Sequence, residues 1–266
     1  MTQPIFHFVH GNSFPAGTYR VFLDHLRRHY EVRALDMHAH HPRYPVADGW
    51  QALAQELIDE LAGRYREPVI LAGHSMGGLL SLMAAKARPE LVRCVVLLDA
   101  PVVAGWRAML LRLARATGGD KRYGPARFSQ NRCNLWCDAA AAHAHYAAKP
   151  MFAKWPQEVL DDYIAHGLAP HPQGVTLRFT REVETAVYRS LPHHLGALVR
   201  RAFPVPVGFV GGTDSAECRM AGMAATRRLV GPHFHTVPGG HLFPMEAPAA
   251  AAQAVHGMIR SLLPIK

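Results

Sequence analysis

The sequence is short of cysteine, of acid and of unbroken apolar length. Four cysteines in 266 residues, Cys94, Cys133, Cys137 and Cys218, are too few for a disulfide scaffold. Cys133 and Cys137 would share a helix face, but no second Cys/His pair completes a zinc-ring spacing, so all four read as structural thiols. The longest apolar run, CVVLLDAPVVAGW (94–106), is broken by Asp99 and falls far short of the ~20 residues of a bilayer span. The opening, MTQPIFHFVHGN, has neither a basic n-region nor a long apolar h-region, so no signal peptide is expected. The expectation is a soluble, cytoplasmic protein. Acid is outnumbered, with 20 Asp and Glu against 29 Lys and Arg, a net charge of +9. Between Val102 and Phe203 lie fourteen basic and seven acidic side chains, and residues 107–132 hold seven basic ones against Asp120 alone. Such bias draws anionic partners. No nucleic-acid module accompanies it, so a solvated face is the simpler reading and no nucleic-acid partner is expected.

What the chain does have is alternation. IFHFVH (5–10), EVRALDM (31–37), PVILAGHS (68–75) and VRCVVLLDA (92–100) read as buried strands. Between them, TYRVFLDHLRRHY (18–30), DGWQALAQELIDELAGRY (48–65) and GGLLSLMAAKARPE (77–90) carry apolar residues at helical spacing, with Asp48 as an N-cap. After a long interruption the rhythm resumes with PVGFVGG (206–212), a helix around 216–230, HFHTVPGG (233–240) and APAAAAQAVHGMIRSLL (247–263). Strand–helix–strand order predicts an α/β fold: a mostly parallel sheet of about six strands with helices on both faces. The interruption reads as an inserted helical cap with one strand-like piece, GVTLRFT. The expected organisation is therefore a core of 1–101 and 204–266 with a cap or lid over 102–203. Its apolar residues Met109, Leu110, Leu113, Trp136, Phe152 and Trp155 cannot all face solvent, and some are expected to line a pocket.

LAGHSMGGLL (71–80) puts Ser75 where a strand turns into a helix, framed by Gly73 and Gly77. That is the G-x-S-x-G nucleophile elbow, whose sharp turn leaves no room for a Cβ two residues either side. A serine needs a base. Of 18 histidines, His241 in VPGGHLFPMEAP lies past the last strand, at the carboxyl edge where Ser75 also sits. Oxyanion donors are expected from the backbone N–H groups of Met76 and of Asn12, in the HGN loop after the first strand. The orienting carboxylate is expected to be Asp214, in FVGGTDSAE. Asp99 is the alternative, and aligning PVGFVGG from its proline moves the acid position onto Ser215. His10 and Gly11 in the first loop, with Trp136 and Trp155 in the cap, are expected to meet substrate. His38, His40 and His41 cluster in another loop with few carboxylates nearby, so no metal is expected there.

These motifs in this order, HGN, GHSMGG, an acid, then GGHLFPMEAP, resemble the α/β-hydrolase superfamily across essentially the whole chain. The resemblance implies a parallel-rich sheet, an inserted cap, and a triad of Ser75, His241 and an acid that works without a cofactor. HGNSFPAGTYR and YIAHGLAPHPQGVTLRF look like a branch of small bacterial capped hydrolases. Two departures stand out: the usual pair of strands before the HG loop is missing, and the loop after RALDM reads HAHHPRYPV where relatives carry Arg-Gly-His-Gly. The implied activity is that of a carboxylesterase-like serine hydrolase, cleaving a small ester or similar acyl substrate through an acyl-enzyme. A C–C bond hydrolase, lyase or perhydrolase on the same triad, or a binding protein without turnover, are the alternatives.

Overall fold

The computed structural model describes residues 3–117 and 125–263. The first half runs β1 (Ile5–Val9), α1 (Arg20–Leu26), β2 (Glu31–Ala34), α2 (Gln51–Arg64), β3 (Val69–His74), α3 (Met76–Ala87) and β4 (Val92–Leu98). An insertion follows: α4 (Trp106–Ala116), α5 (Pro125–Asn131), β5 (Leu135–Trp136), α6 (Ala139–Ala147), α7 (Gln157–Gly167), β6 (Leu168–His171), β7 (Gly174–Leu177), α8 (Arg181–Arg189) and α9 (Leu195–Leu198). The chain then completes the sheet with β8 (Val207–Gly212), α10 (Ala216–Ala221), α11 (Ala224–Val230), β9 (Phe234–Val237), α12 (Phe243–Glu246) and α13 (Pro248–Leu262).

Six strands in the order β2-β1-β3-β4-β8-β9 form one sheet, and every neighbouring pair is parallel. Every residue of β3 and β8 is buried, as strands covered on both faces require. The two-residue strand period sorts the core. Phe6, Phe8, Ile70, Ala72, Val96 and Leu98 join one apolar cluster with α1 and α13. Val9, Leu71, Val95 and Leu97 join the other with α2 and α3. On α13, Val255, Met258, Ile259 and Leu262 are all buried, each worth roughly 1.5–3 kcal/mol of burial.

The insertion is less uniformly helical than its sequence reads. β5, β7 and β6 form a small antiparallel sheet, and Cys133 and Cys137 flank β5 rather than share a helix face. Its aromatic residues Trp136, Tyr146, Phe152, Trp155 and Tyr163 belong to the same cluster as Phe8 and Phe22 of the sheet side. Asp138 caps α6 by accepting the Ala141 N–H at 2.7 Å. Asp48 does not open α2. That helix starts at Gln51, behind a left-handed Trp50 whose indole Nε1 donates to Val187 O (3.2 Å) and Ser190 Oγ (3.1 Å) of the insertion. Tertiary anchoring of a buried Trp sets this helix start, which no local pattern reveals. Among the described residues no helix is long and apolar enough to cross a membrane.

Because all six strands are parallel, their carboxyl ends share one edge. The segments that leave it are His10–Asn12 after β1, Ser75 after β3, Asp99 after β4, Thr213–Ser215 after β8 and Gly239–His241 beyond β9.

Candidate active site

Ser75 sits at φ 52, ψ −115, a conformation a side-chain-bearing residue adopts only at a cost of order 1–3 kcal/mol. The surroundings hold it there. Its N–H donates to Leu98 O at 2.9 Å, tying the turn to β4. A Cβ on Gly77 would lie 2.1 Å from Val9 O, and one on Gly73 would lie 2.3 Å from the Gly77 backbone. The glycines on either side of the serine are therefore demanded by backbone packing, as the motif predicts.

His241 Nε2 lies 3.0 Å from Ser75 Oγ, and its Nδ1 lies 2.8 Å from Asp99 Oδ1. A carboxylate only accepts, so Nδ1 carries the proton and Nε2 is free to accept from the serine hydroxyl. Asp99 is fully buried at φ 43 and accepts three further hydrogen bonds: Ser215 Oγ at 2.6 Å, Cys218 Sγ at 3.3 Å and the Gly212 N–H at 2.7 Å. Burial alone would push its carboxyl up. The hydrogen bond and charge of His241, with the bonds from Ser215 and Gly212, outweigh that and hold it below the usual carboxylate range.

Asp214, the first choice from sequence, is not beside His241 in this arrangement. It is exposed on the rim, and its own N–H is turned back to Gly239 O at 2.9 Å. The position it was expected to fill is taken by buried Ser215, which caps α10 by accepting the Cys218 N–H at 3.1 Å while donating to Asp99. Both aspartates leave sheet strands at the same edge, and the turn after Gly212 decides which one faces inward.

Met76 opens α3, so its N–H has no carbonyl one turn earlier to bond. Asn12 is buried in the loop after β1, with Nδ2 donating to Glu184 O of the insertion at 3.3 Å. His10 and Gly11 do not face the cleft. His10 is fully buried; Nδ1–H donates to Gly11 O (2.8 Å) and Nε2 accepts the His38 N–H (2.7 Å), so both ring nitrogens are occupied by backbone. Burial, then neighbouring His38, pushes this imidazole down to about 3, and it braces the loop as a neutral ring. Nearby, His38 Nδ1 lies 3.1 Å from Glu56 Oε2, and the Thr180 N–H donates to His40 Nε2 at 3.2 Å.

Sequence reasoning missed His74 and Tyr19, and the arrangement of their protons is determined. The His241 carbonyl can only accept, so His74 Nε2–H donates to it at 2.9 Å. His74 Nδ1 must then accept from Tyr19 O–H at 2.7 Å, and the Tyr19 oxygen accepts the Gly11 N–H at 3.1 Å. One row of hydrogen bonds thus joins the loop carrying Asn12, the turn carrying Ser75 and the loop carrying His241. Burial and the His241 charge push the His74 imidazole down to about 3, so the row stays neutral. The only sequence signal was a histidine directly before the serine.

A cleft of 660 Å³ opens beside His241. Phe14, Phe128, Phe152, Tyr188 and Leu242 give it apolar walls; Arg132 and Lys149 stand on the insertion side, while Asp214, Glu217 and Glu246 stand on the side of His241. Arg132 donates to Glu184 Oε2 at 2.7 Å and to the hydroxyls of Tyr146 (2.8 Å) and Tyr163 (2.9 Å). Burial and the Arg132 charge hold Lys149 below the ordinary lysine range. Trp136 and Trp155 are buried behind this wall rather than in it. Trp155 packs on Phe152 (ring centroids 4.6 Å apart) and Trp136 on Tyr146 (5.5 Å), so they support the residues that do line the cleft.

With this geometry in view, the likenesses to known proteins fall in place. The chain is 36% identical over 97 residues to the uncharacterized hydrolase YugF of Bacillus subtilis, 34% of each chain. It is 28% identical over 100 residues to a putative esterase/lipase of Haemophilus influenzae, 37% of this chain and 35% of that one. These two matches span about a third of the relatives' length. A longer match, 25% identical over 230 residues, covers 85% of this chain and 76% of 2-(acetamidomethylene)succinate hydrolase from Mesorhizobium japonicum. The crystal structure of E-2-(acetamidomethylene)succinate hydrolase superposes with a TM-score of 0.76 at 23% identity, over 97% of this chain and 92% of that one, a likeness of fold. The profile of the alpha/beta hydrolase family matches residues 8–254, and the chain belongs to that family.

Proposed function

We propose that the chain is a serine hydrolase that cleaves a carboxylic ester or similar acyl bond of a small substrate. The observation that carries this reading is the hydrogen-bonded row Asp99–His241–Ser75, ending on a strained turn at the positive end of α3. In this reading Ser75 Oγ attacks the carbonyl carbon as His241 Nε2 takes its proton. Asp99 holds the ring in the required tautomer and stabilises the imidazolium. The backbone N–H groups of Met76 and Asn12 receive the developing oxyanion. His241 then protonates the leaving group, and the acyl-enzyme is cleared by water in the reverse sense. The acid in this scheme is Asp99 in place of Asp214.

The insertion, over 102–203, acts as the cap that shapes the acyl pocket. Lys149 and Arg132 on its wall favour a substrate with a carboxylate held away from the reacting carbonyl. The longer of the matched relatives takes a succinate, which is consistent with that preference. The test is labelling by a fluorophosphonate, followed by a series of p-nitrophenyl esters. Wild type is expected to label and turn over, and Ser75→Ala to do neither, with kcat down by about 10³-fold or more. Full turnover in Ser75→Ala would end the mechanism. Carboxylate-bearing esters are expected to lead matched neutral ones in kcat/KM at low salt and to lose that lead in Lys149→Gln.

A further inference from the structure

Of the insertion's apolar residues, Trp136, Phe152 and Trp155 are buried, but those of helix α4 are not. Trp106, Met109, Leu110 and Leu113 recur at i, i+3, i+4 and i+7, the spacing of a helix that packs on something. Yet they are 59%, 67%, 50% and 58% exposed. A contiguous apolar stripe facing solvent marks a surface that meets another phase or partner.

Beside the stripe lies a second cavity, of 480 Å³, apart from the cleft at His241. Arg107, Arg200, Arg228 and His193 line it, and no acidic residue among those described does. These three arginines form no ion pair with any described carboxylate, and the buried Nδ1 of His193 has no hydrogen-bond partner among the described residues. Trp106 and Arg107 line this cavity and also begin the stripe. Gly222, at φ +73, leaves room for the Arg107 guanidinium, which a Cβ there would approach to 2.8 Å. Two residues earlier, Met220 stands 67% exposed where it lines the cleft at His241, and 80%-exposed Phe128 lines that cleft as well.

We propose that this face of the insertion docks on an anionic phospholipid surface, with the α4 stripe at the headgroup–acyl boundary and phosphate seated among Arg107, Arg200 and Arg228. An interfacial helix needs an apolar face flanked by cations, and Arg107 and Arg112 flank this one. Guanidinium forks match phosphate oxygens in pairs, and an anionic leaflet attracts each cation near it. A second copy of the chain is a poor occupant. A two-fold contact on the stripe would bring Arg107 and Arg112 of each copy into one interface with no acidic residue of α4 to meet them. Single-stranded nucleic acid is a poorer one, because Trp106 is the stripe's one aromatic residue and Met109, Leu110 and Leu113 offer no further stacking platform for successive bases.

Vesicle sedimentation of the full chain tests the proposal. At low salt, binding to mixed phosphatidylglycerol/phosphatidylcholine vesicles is expected to exceed binding to phosphatidylcholine alone by about tenfold or more, and to fall at high salt. Met109→Ser/Leu113→Ser is expected to lose vesicle binding while hydrolysing a soluble p-nitrophenyl ester as wild type does, which shows that it folds. Arg200→Gln/Arg228→Gln is expected to lose the preference for anionic lipid. Equal binding to both vesicle types, or no binding at low salt, overturns the proposal. So does a dimer in sedimentation velocity that Met109→Ser/Leu113→Ser dissociates.

Discussion

Two walls face each other across the cleft at His241, and they are held by different means. The sheet edge is held by backbone against backbone: Ser75 N on Leu98 O, Gly77 against Val9 O, Asp99 N on Val210 O at 2.9 Å. The insertion wall is held by side chain against side chain, with the Arg132 guanidinium shared by Glu184, Tyr146 and Tyr163. Close backbone approach admits few residue types, so it leaves a fixed local signature. A cluster of side chains from four separate segments leaves none. The lesson is that an elbow can be read from ten residues, whereas the wall opposite it cannot be read from a hundred.

The largest effect is expected at the sheet edge. Asp99→Asn removes the carboxylate that, alone among the described residues, meets His241 Nδ1 at hydrogen-bond distance, and kcat is expected to fall by about 10⁴-fold, as for loss of the orienting carboxylate in a serine triad. Asp214→Asn, on the rim, is expected to change kcat by less than about tenfold, an amount assigned to the rim charge alone. Steady-state kinetics on one ester decide the ranking. If Asp214→Asn proves the more damaging, the sheet edge must rearrange around substrate, and the contrast between a rigid and an adaptable wall fails.

This ranking also marks what the sequence made legible. Ser75, Gly73, Gly77 and His241 were readable because each sits at a strand end with a local motif. Asp99 and Asp214 each follow a strand at the same edge, and only the turn after Gly212, which tucks Ser215 inward, separates them. The six parallel strands were readable from their apolar runs. The small sheet of β5, β7 and β6 was not, because strands of two to four residues carry too little pattern. Trp136 and Trp155 were read as pocket residues because a large aromatic in the insertion has to be buried somewhere. They are buried one layer behind the wall. Met109, Leu110 and Leu113 were read only as members of a set that cannot all face solvent; amphipathic spacing fixes that a stripe exists, and the direction it faces is a tertiary fact.

A smaller effect, on stability, is expected at the insertion wall. Arg132→Met leaves the buried Glu184 carboxylate without its cation, a loss of about 3–5 kcal/mol for a broken buried pair. Replacing both partners, as Arg132→Met/Glu184→Gln, is expected to recover more than half of it, because the stranded charge is gone. Urea midpoints of the two variants measure this. If the single variant is as stable as wild type, water reaches Glu184 and the wall is looser than its hydrogen bonds imply.

The smallest effect is expected within the sheet-edge wall, at Tyr19, which ties together the loops carrying Asn12, Ser75 and His241. Its hydroxyl touches no cleft atom; it accepts the Gly11 N–H and donates to His74 Nδ1. Tyr19→Phe strips a buried partner from both, at about 1–3 kcal/mol of stability. Its effect on turnover runs through His74. With Nδ1 unpaired, the proton on Nε2 is no longer fixed, and the His241 carbonyl can lose its donor. The imidazole of His241 then samples orientations away from Ser75, and kcat is expected to fall by about tenfold, some 1.4 kcal/mol. KM is expected to stay put, since Tyr19 meets no substrate. A merely structural residue would lower the amount of folded enzyme and leave kcat per labelled serine unchanged, so fluorophosphonate titration separates the two roles. The sign with pH is also defined. Wild-type His74, pushed down to about 3, stays neutral from pH 8 to pH 5, so protonation of His74 gives the wild-type rate no pH dependence in that window. A neutral His74 in the variant keeps the ratio of the two rates level there. A ratio that widens as pH falls below ~6.5 would mean that His74, freed from Tyr19, takes up a proton. An unchanged kcat at every pH would show that the hydrogen-bonded row only braces the fold.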